Sequence, residues 1–243
     1  MRSWKSFCLA VLSCAALAAC QTDTYMTKPI DSMMGNHDAR EARLSTAAAE
    51  AMRLGKTSEA LAQYETLYRH SSRDKGIALN YAQLLRKTGS AARAAEVLAP
   101  YAERNDDPVI MNEYAADKIA LGDFAEAEKI LNAVLEDQKA VAVRHDTYDL
   151  MGIALDAEGR HKEAEQMFRL ALDGWRGDAT SVMNNLGLCL AAEGMFDDSL
   201  LTLRKALIMA PQKEEIARNI EIVSDLRSKV VKTAHAKPAK IKK

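Results

Sequence analysis

Five glycines, Gly55, Gly89, Gly122, Gly159 and Gly194, recur at intervals of 34, 33, 37 and 35 residues. A period near 34 carried through a chain means one two-helix unit copied and stacked, because a unit that short cannot bury its own apolar face. Such an array is built to hold something rather than to enclose a single catalytic centre. Each glycine falls where the first helix of its unit must end, in the left-handed conformation that glycine adopts without steric cost. The composition agrees. Apolar residues make up 48% of the chain and aromatics only 5%, so the core must be assembled from Ala, Leu, Ile, Val and Met. Ala, Leu, Glu, Arg and Lys dominate from 40 to 230 and β-branched clusters are absent, which predicts an all-α fold.

With each recurring glycine set at position fifteen, five units of about 34 residues fall into register: 41–74, 75–108, 108–141, 145–178 and 180–213. Their positions follow the tetratricopeptide pattern of W-x₂-L-G-x₂-Y, then A, F, A and P. The last unit matches best, with Leu186-Gly187, Leu190, Leu203, Ala206 and Pro211, while Ser199 replaces the usual Ala at position twenty. The fourth gives Tyr148, Met151-Gly152, Leu155, Ala164, Phe168 and Ala171. The third gives Met111, Tyr114-Ala115, Ala127, Leu131 and Val134, with Lys118 off the pattern. The second gives Ala78, Tyr81-Ala82, Leu85, Ala94, Leu98 and Tyr101; the first, weakest, gives Leu44, Ala47-Ala48, Ala51, Ala60, Tyr64 and Leu67. Small residues at positions eight and twenty let two helices approach closely where they cross. Acids after the turn (Glu59, Glu126, Glu163, Asp198) fall in the first turn of each second helix, against its positive dipole end; Arg93 breaks the habit. The expected fold is a tetratricopeptide-repeat solenoid of about five helix-turn-helix units with a C-terminal capping helix at 213–231. That helix carries the stripe Ile216, Ile220, Val223, Leu226 and Val230. Residues 232–243, rich in Lys, have no apolar period and are expected to be disordered.

The N-terminus reads as an export signal. Arg2 and Lys5 precede a 13-residue stretch, Phe7 to Ala19, of mostly apolar and small residues. It is too short for a hydrocarbon core of about 30 Å, which needs about 20 residues. Residues 1–19 therefore form a signal peptide, and Leu17-Ala18-Ala19-Cys20 resembles a bacterial lipobox, which makes Cys20 the lipidation site. Two or three acyl chains there anchor a protein stably, since each buried CH₂ adds about 0.8 kcal/mol. Gln21 after the cysteine resembles the outer-membrane sorting signal of enterobacterial lipoproteins, and implies a protein on the periplasmic face of that membrane. Residues 20–40, with Pro29 and Gly35, read as a lipidated tether with a root-mean-square span of about 25 Å. Cys8 and Cys14 lie in the signal and Cys189 reads as a small buried hydrophobe, so no disulfide is expected.

Charge excludes one class of partner. The chain holds 33 bases and 34 acids, but two bases lie in the signal and six from Lys229 onward. The body is left with 25 bases against 34 acids, about −9, whereas a phosphate backbone requires a basic stripe. Nucleic acid is not expected. Nor is catalysis: His37, His70, His145, His161 and His235 stand apart in sequence, and no phosphate loop or nucleophile elbow occurs. Ser72-Arg73-Asp74-Lys75 has S-x-x-K spacing but falls in an inter-repeat loop without companion motifs. The reading is no enzyme, no metal, no cofactor and no small-molecule substrate.

Function is then expected on the concave face lined by the first helices. Positions two, five, nine, twelve and thirteen point there, and the residues they supply include Leu79, Gln83, Arg86, Asn112, Ala116, Ile119, Asp146, Asp149, Ile153, Asp156, Asn184 and Leu188. Asn80 and Asn185, at position six, add amides able to grip an extended peptide backbone, or else to cap and solvate the helices. Three aspartates favour a basic or mixed apolar protein partner.

The segment NNLGLCLAAEGMFDDSLLTLRKALIMAP (184–211), followed by Ala217-Arg218-Asn219-Ile220, resembles the final repeat and closing helix of the TadD-type tetratricopeptide lipoproteins of the tight-adherence (Flp) pilus system. The lipobox and repeat number are similar too. The resemblance implies a pilotin-like, lipid-anchored scaffold whose partners are the pilus secretin or other assembly subunits. Other tetratricopeptide lipoproteins serve outer-membrane barrel insertion or scaffold peptidoglycan hydrolases, and these stand as alternatives, with an enzyme regulator more remote.

Overall fold

The computed structural model describes residues 30–104, 107–173 and 178–236. The export signal, Cys20 and the first part of the tether lie outside the described residues, as does the tail beyond Ala236. Eleven α-helices and one short 3₁₀ turn occur among the described residues, with no strand. No described helix is long and apolar enough to cross a membrane.

The chain divides into two compact units at Leu67–Tyr68. The first holds α1 (Ile30–Arg53) and most of α2 (Thr57–His70). Its small residues Ala48 and Ala60, at positions eight and twenty of repeat one, are fully buried. The second unit carries four helical hairpins: α3 (Lys75–Lys87) with α4 (Ala91–Ala102), α5 (Pro108–Ala120) with α6 (Phe124–Glu136), α7 (Arg144–Ala157) with α8 (His161–Leu172), and α9 (Thr180–Ala192) with α10 (Phe196–Met209). Helix α11 (Glu214–Ala236) closes the array against α10 and α9.

Within the second unit the stacking is asymmetric. Successive first helices touch (α3 with α5, α5 with α7, α7 with α9, α9 with α11), while successive second helices do not. First helices therefore converge on one face, the inner face of the stack.

The glycines act as the period requires. All five have φ between 69° and 83°. In repeat four the Gly159 amide donates to Asp156 O at 2.9 Å and the Arg160 amide to Leu155 O at 2.9 Å, the two bonds of a Schellman turn. The same pair recurs at the other four turns. The position-twenty residues Ala60, Ala94, Ala127, Ala164 and Ser199 are all completely buried at the helix crossings. Ser199 buries its hydroxyl by donating to Gly187 O at 2.5 Å, which removes the cost of an unpaired polar group. Glu59, Glu126, Glu163 and Asp198 occupy the first turns of α2, α6, α8 and α10, and α4 has no acid there. One core runs from Ala102 through Leu131 and Phe168 to Leu190; another joins Leu203 and Ala206 to Ile216 and Val223 of α11. Each Leu or Val buried in this way contributes about 1.5–3 kcal/mol.

Three features depart from the sequence reading. Helix α1 begins at Ile30, so residues 30–40 continue the first helix of repeat one rather than belonging to a tether. A glycine such as Gly35 costs a helix only about 1 kcal/mol, so its presence in the sequence does not forbid one. Helix α11 continues to Ala236, past the expected end at 231. The longer interval between Gly122 and Gly159 is taken up by the 3₁₀ turn Gln138–Val143, which buries Ala140 and is capped by Asp137 accepting from the Lys139 amide at 2.8 Å.

Candidate functional site

Five of the groove residues read from the sequence line one recess of about 230 Å³ on the first-helix face: Arg86, Asn112, Ala116, Asp146 and Asp149. Val109, Glu113, Val143 and Leu150 complete its wall. Helices α3, α5 and α7 each contribute, so the recess is made by stacking and not by any one repeat.

Arg86 organises the side nearest α3. Its Nη1 donates to Asp117 Oδ1 at 2.7 Å and to Glu113 O at 3.1 Å, and its Nη2 donates to Glu113 Oε2 at 2.5 Å. Gln83 Nε2 donates to Glu113 Oε1 at 2.7 Å. Asp117 is fully buried, and burial raises its carboxyl to about 6, with Arg86 opposing the shift and Glu113 adding to it. Glu113 and Asp117 are one turn apart on α5, so both face the guanidinium. Neither stood out in the sequence, although acids at i and i+4, opposite Arg86 one period back, were the available signal.

The far side is acidic. Burial pushes the Asp149 carboxyl up to about 6; the Asn185 amide, donating at 3.1 Å, opposes this and Asp146 reinforces it. Asp146 is exposed at the rim, and partial burial still raises its carboxyl, with His145 opposing and Glu113 adding. One guanidinium thus stands against four carboxylates (Glu113, Asp117, Asp146, Asp149), and Arg86 bonds only the first two.

Three asparagines of this face bond across repeats. Asn112 is buried and donates to Thr147 Oγ1 at 3.0 Å, while the Thr147 hydroxyl lies 2.9 Å from Val143 O. Asn184 is also buried and accepts from Asn219 Nδ2 of α11 at 2.8 Å. With Asn185 and Asp149, these pairs join equivalent first helices 35 or 36 residues apart. They neither cap helices nor stand free for a peptide: the inner helices approach so closely that a position-five or position-six amide reaches the next repeat. Asn80 and Leu188 remain exposed, Leu79 is half-buried, and Ile119 and Ile153 are half-buried against the core.

Asp156 goes elsewhere. Its Oδ1 lies 2.6 Å from His161 Nδ1, beside the buried Cys189 thiol. His161 is therefore not isolated, because the Gly159 turn folds it back onto the end of α7.

Two tetratricopeptide-repeat family models match the chain, one over 106–177 and the other over 45–108 and 150–214. The chain belongs to the tetratricopeptide repeat family, whose repeats form protein-protein interaction scaffolds. Among solved structures it is similar to a thermophilic tetratricopeptide protein of Thermus thermophilus, with TM-score 0.66 and 17% identity, covering 75% of this chain and 98% of that one. It is also similar to MamA (41-end) from Desulfovibrio magneticus, with TM-score 0.53 and 17% identity over 72% of this chain and 97% of that one. These likenesses are of fold. No curated protein sequence matches the chain.

Proposed function

We propose that this protein is a lipid-anchored scaffold of the bacterial envelope that grips a basic segment of another subunit in its inner recess. The observation that carries the reading is the unbalanced charge of that recess: Asp146 and Asp149 face it without a cationic side chain bonded to either among the described residues. A Lys or Arg of an extended partner, seated there, gains a charge-assisted hydrogen bond in a partly desolvated site. The recess is small, about 230 Å³, and acidic, which suits a peptide side chain better than a small metabolite and a binding role better than catalysis.

Lipidation at Cys20 would hold this groove at the periplasmic face of the outer membrane. The likeness of 184–211 to the closing repeat of the tight-adherence pilus lipoproteins supports a pilotin-like role, with the pilus secretin or a neighbouring assembly subunit as the guest. The test is cross-linked affinity capture of the full-length lipidated protein beside an Asp146→Lys, Asp149→Lys variant. Recovery of the secretin or another pilus subunit by the parent and its loss from the variant is the expected result. Recovery instead of barrel-insertion factors or peptidoglycan hydrolases, or capture indifferent to the charge reversal, overturns the reading. Cys20→Ser should leave the repeats folded and release the protein from membranes. Continued fractionation with the outer membrane would show that lipid is not the anchor.

A further inference from the structure

Away from the recess, three side chains of the kinds that ligate metals converge between repeats four and five. Asp156 lies in the last turn of α7, the Gly159 turn follows, and His161 opens α8. The two hydrogen bonds of that turn fix the pair, with Nδ1 and Oδ1 2.6 Å apart. Cys189 arrives from α9 of the next repeat; its Sγ donates to His161 O at 3.2 Å and is buried. One candidate ligand atom from each residue lies within 4.8 Å of the other two.

A fourth residue gives an independent indication. Glu193, the C-cap residue of α9, follows Cys189 by one helical turn. It lines, with His161, a recess of about 400 Å³. Its Oε1 is buried and has no hydrogen-bond partner among the described residues. A buried carboxylate oxygen is normally paired, and one that is not calls for an explanation such as an ion. Packing alone does not require a thiol, an imidazole and a carboxylate at one point, with a second carboxylate one helical turn from the thiol that leaves an oxygen unpaired.

We propose that Asp156, His161 and Cys189, with Glu193 swinging in from the neighbouring recess as fourth ligand, form a zinc(II) site linking repeat four to repeat five. Mixed sulfur, nitrogen and oxygen donors suit this borderline ion, which is commonly held by four ligands in tetrahedral sites. Bonds of about 2.0–2.3 Å place neighbouring donors about 3.3–3.8 Å apart, so the 2.6 Å Asp156–His161 pair opens and the other donors draw in by side-chain movement. On binding, the Cys189 S–H bond breaks, the proton leaves to solvent and a sulfur–zinc bond forms. His161 binds through Nδ1, neutral, with its proton on Nε2 toward the open recess. The ion would then clamp the turn of one repeat to the first helix of the next.

The test uses the full chain carrying Cys8→Ser, Cys14→Ser and Cys20→Ser, which leaves Cys189 as the sole thiol. Titration with cobalt(II) should give thiolate-to-cobalt charge-transfer absorption and the visible bands of a four-coordinate ion, both erased by zinc. Adding Cys189→Ala should abolish the charge-transfer band. Adding Asp156→Asn or His161→Gln should weaken binding about 100-fold, and Glu193→Gln about tenfold. If the buried Cys189→Ala change disturbs folding, the half-exposed Asp156→Asn and His161→Gln variants decide. Absence of the charge-transfer band in the parent, or its persistence at undiminished affinity in both of those variants, overturns the proposal.

Discussion

The ring of Phe168 occupies the space that a side chain on Gly152 would fill: a Cβ at residue 152 would lie 2.6 Å from Phe168 Cε1. This crossing fixes how closely α7 and α8 approach. Helical propensity alone would favour Gly152→Ala by about 1 kcal/mol. The buried ring has nowhere to go, and we expect overpacking to outweigh that gain, with a net loss of about 1–3 kcal/mol in urea unfolding. Adding Phe168→Leu reproduces the combination already present at Ala82 with Leu98 and at Ala115 with Leu131. The double variant should recover at least half of the loss, a departure from additivity that marks direct contact.

Arg86 is the counter-ion of a fully buried carboxylate, Asp117, whose second oxygen has no hydrogen-bond partner among the described residues. Arg86→Met should therefore cost about 3 kcal/mol, mostly through the charge left behind. Asp117→Asn in that background removes the stranded charge and should return part of the stability. A double variant less stable than Arg86→Met alone would assign the loss to packing of the arginine stem instead.

At the far end of the array an amide pair on the inner face joins α11 to α9. Asn219→Ala removes the 2.8 Å bond to the buried Asn184 carbonyl and leaves that acceptor unsatisfied. The expected cost is about 1–2 kcal/mol. Because each repeat contacts only its neighbours, hydrogen exchange should accelerate in α11 and α9 while α3 to α6 keep their protection. Acceleration spread evenly along the chain would indicate one global unfolding unit.

The repeats were legible in the sequence because their constraints are local and periodic. Gly159 and Gly194 must turn the backbone, and Ala127 and Ala164 must fit a crossing, whatever the neighbouring repeat does. The recess was legible only in part. Arg86, Asp146 and Asp149 sit at positions that face inward in any such array, so register placed them there. Their partners follow from how far one repeat rotates against the next, which a period does not encode. Glu113 and Asp117 were missed for that reason, as were the bonds that Asn112, Asn184 and Asn185 make to the next first helix. The approach of His161 to Cys189 joins two repeats through a turn, and no spacing rule announces it.

The recess should be visible as a dependence of stability on pH. Asp149 has a carboxyl raised from its ordinary 3.8 to about 6 in the folded chain, chiefly by burial, and Asp117 is shifted the same way. Between these values the folded state binds more protons than the unfolded one. Stability therefore falls as pH rises from about 4 through about 6, and levels off above that, the sign expected for carboxylates that folding makes less acidic. Asp149→Asn keeps an oxygen to accept from Asn185 and removes the charge. It should stabilise the protein at about pH 7 by roughly 1 kcal/mol and flatten the slope between about pH 4 and 6, read from urea midpoints across that range. The same variant should bind a cationic guest less tightly. A more stable protein that grips less well would mean that Asp149 is held charged for its partner and against the interest of the fold.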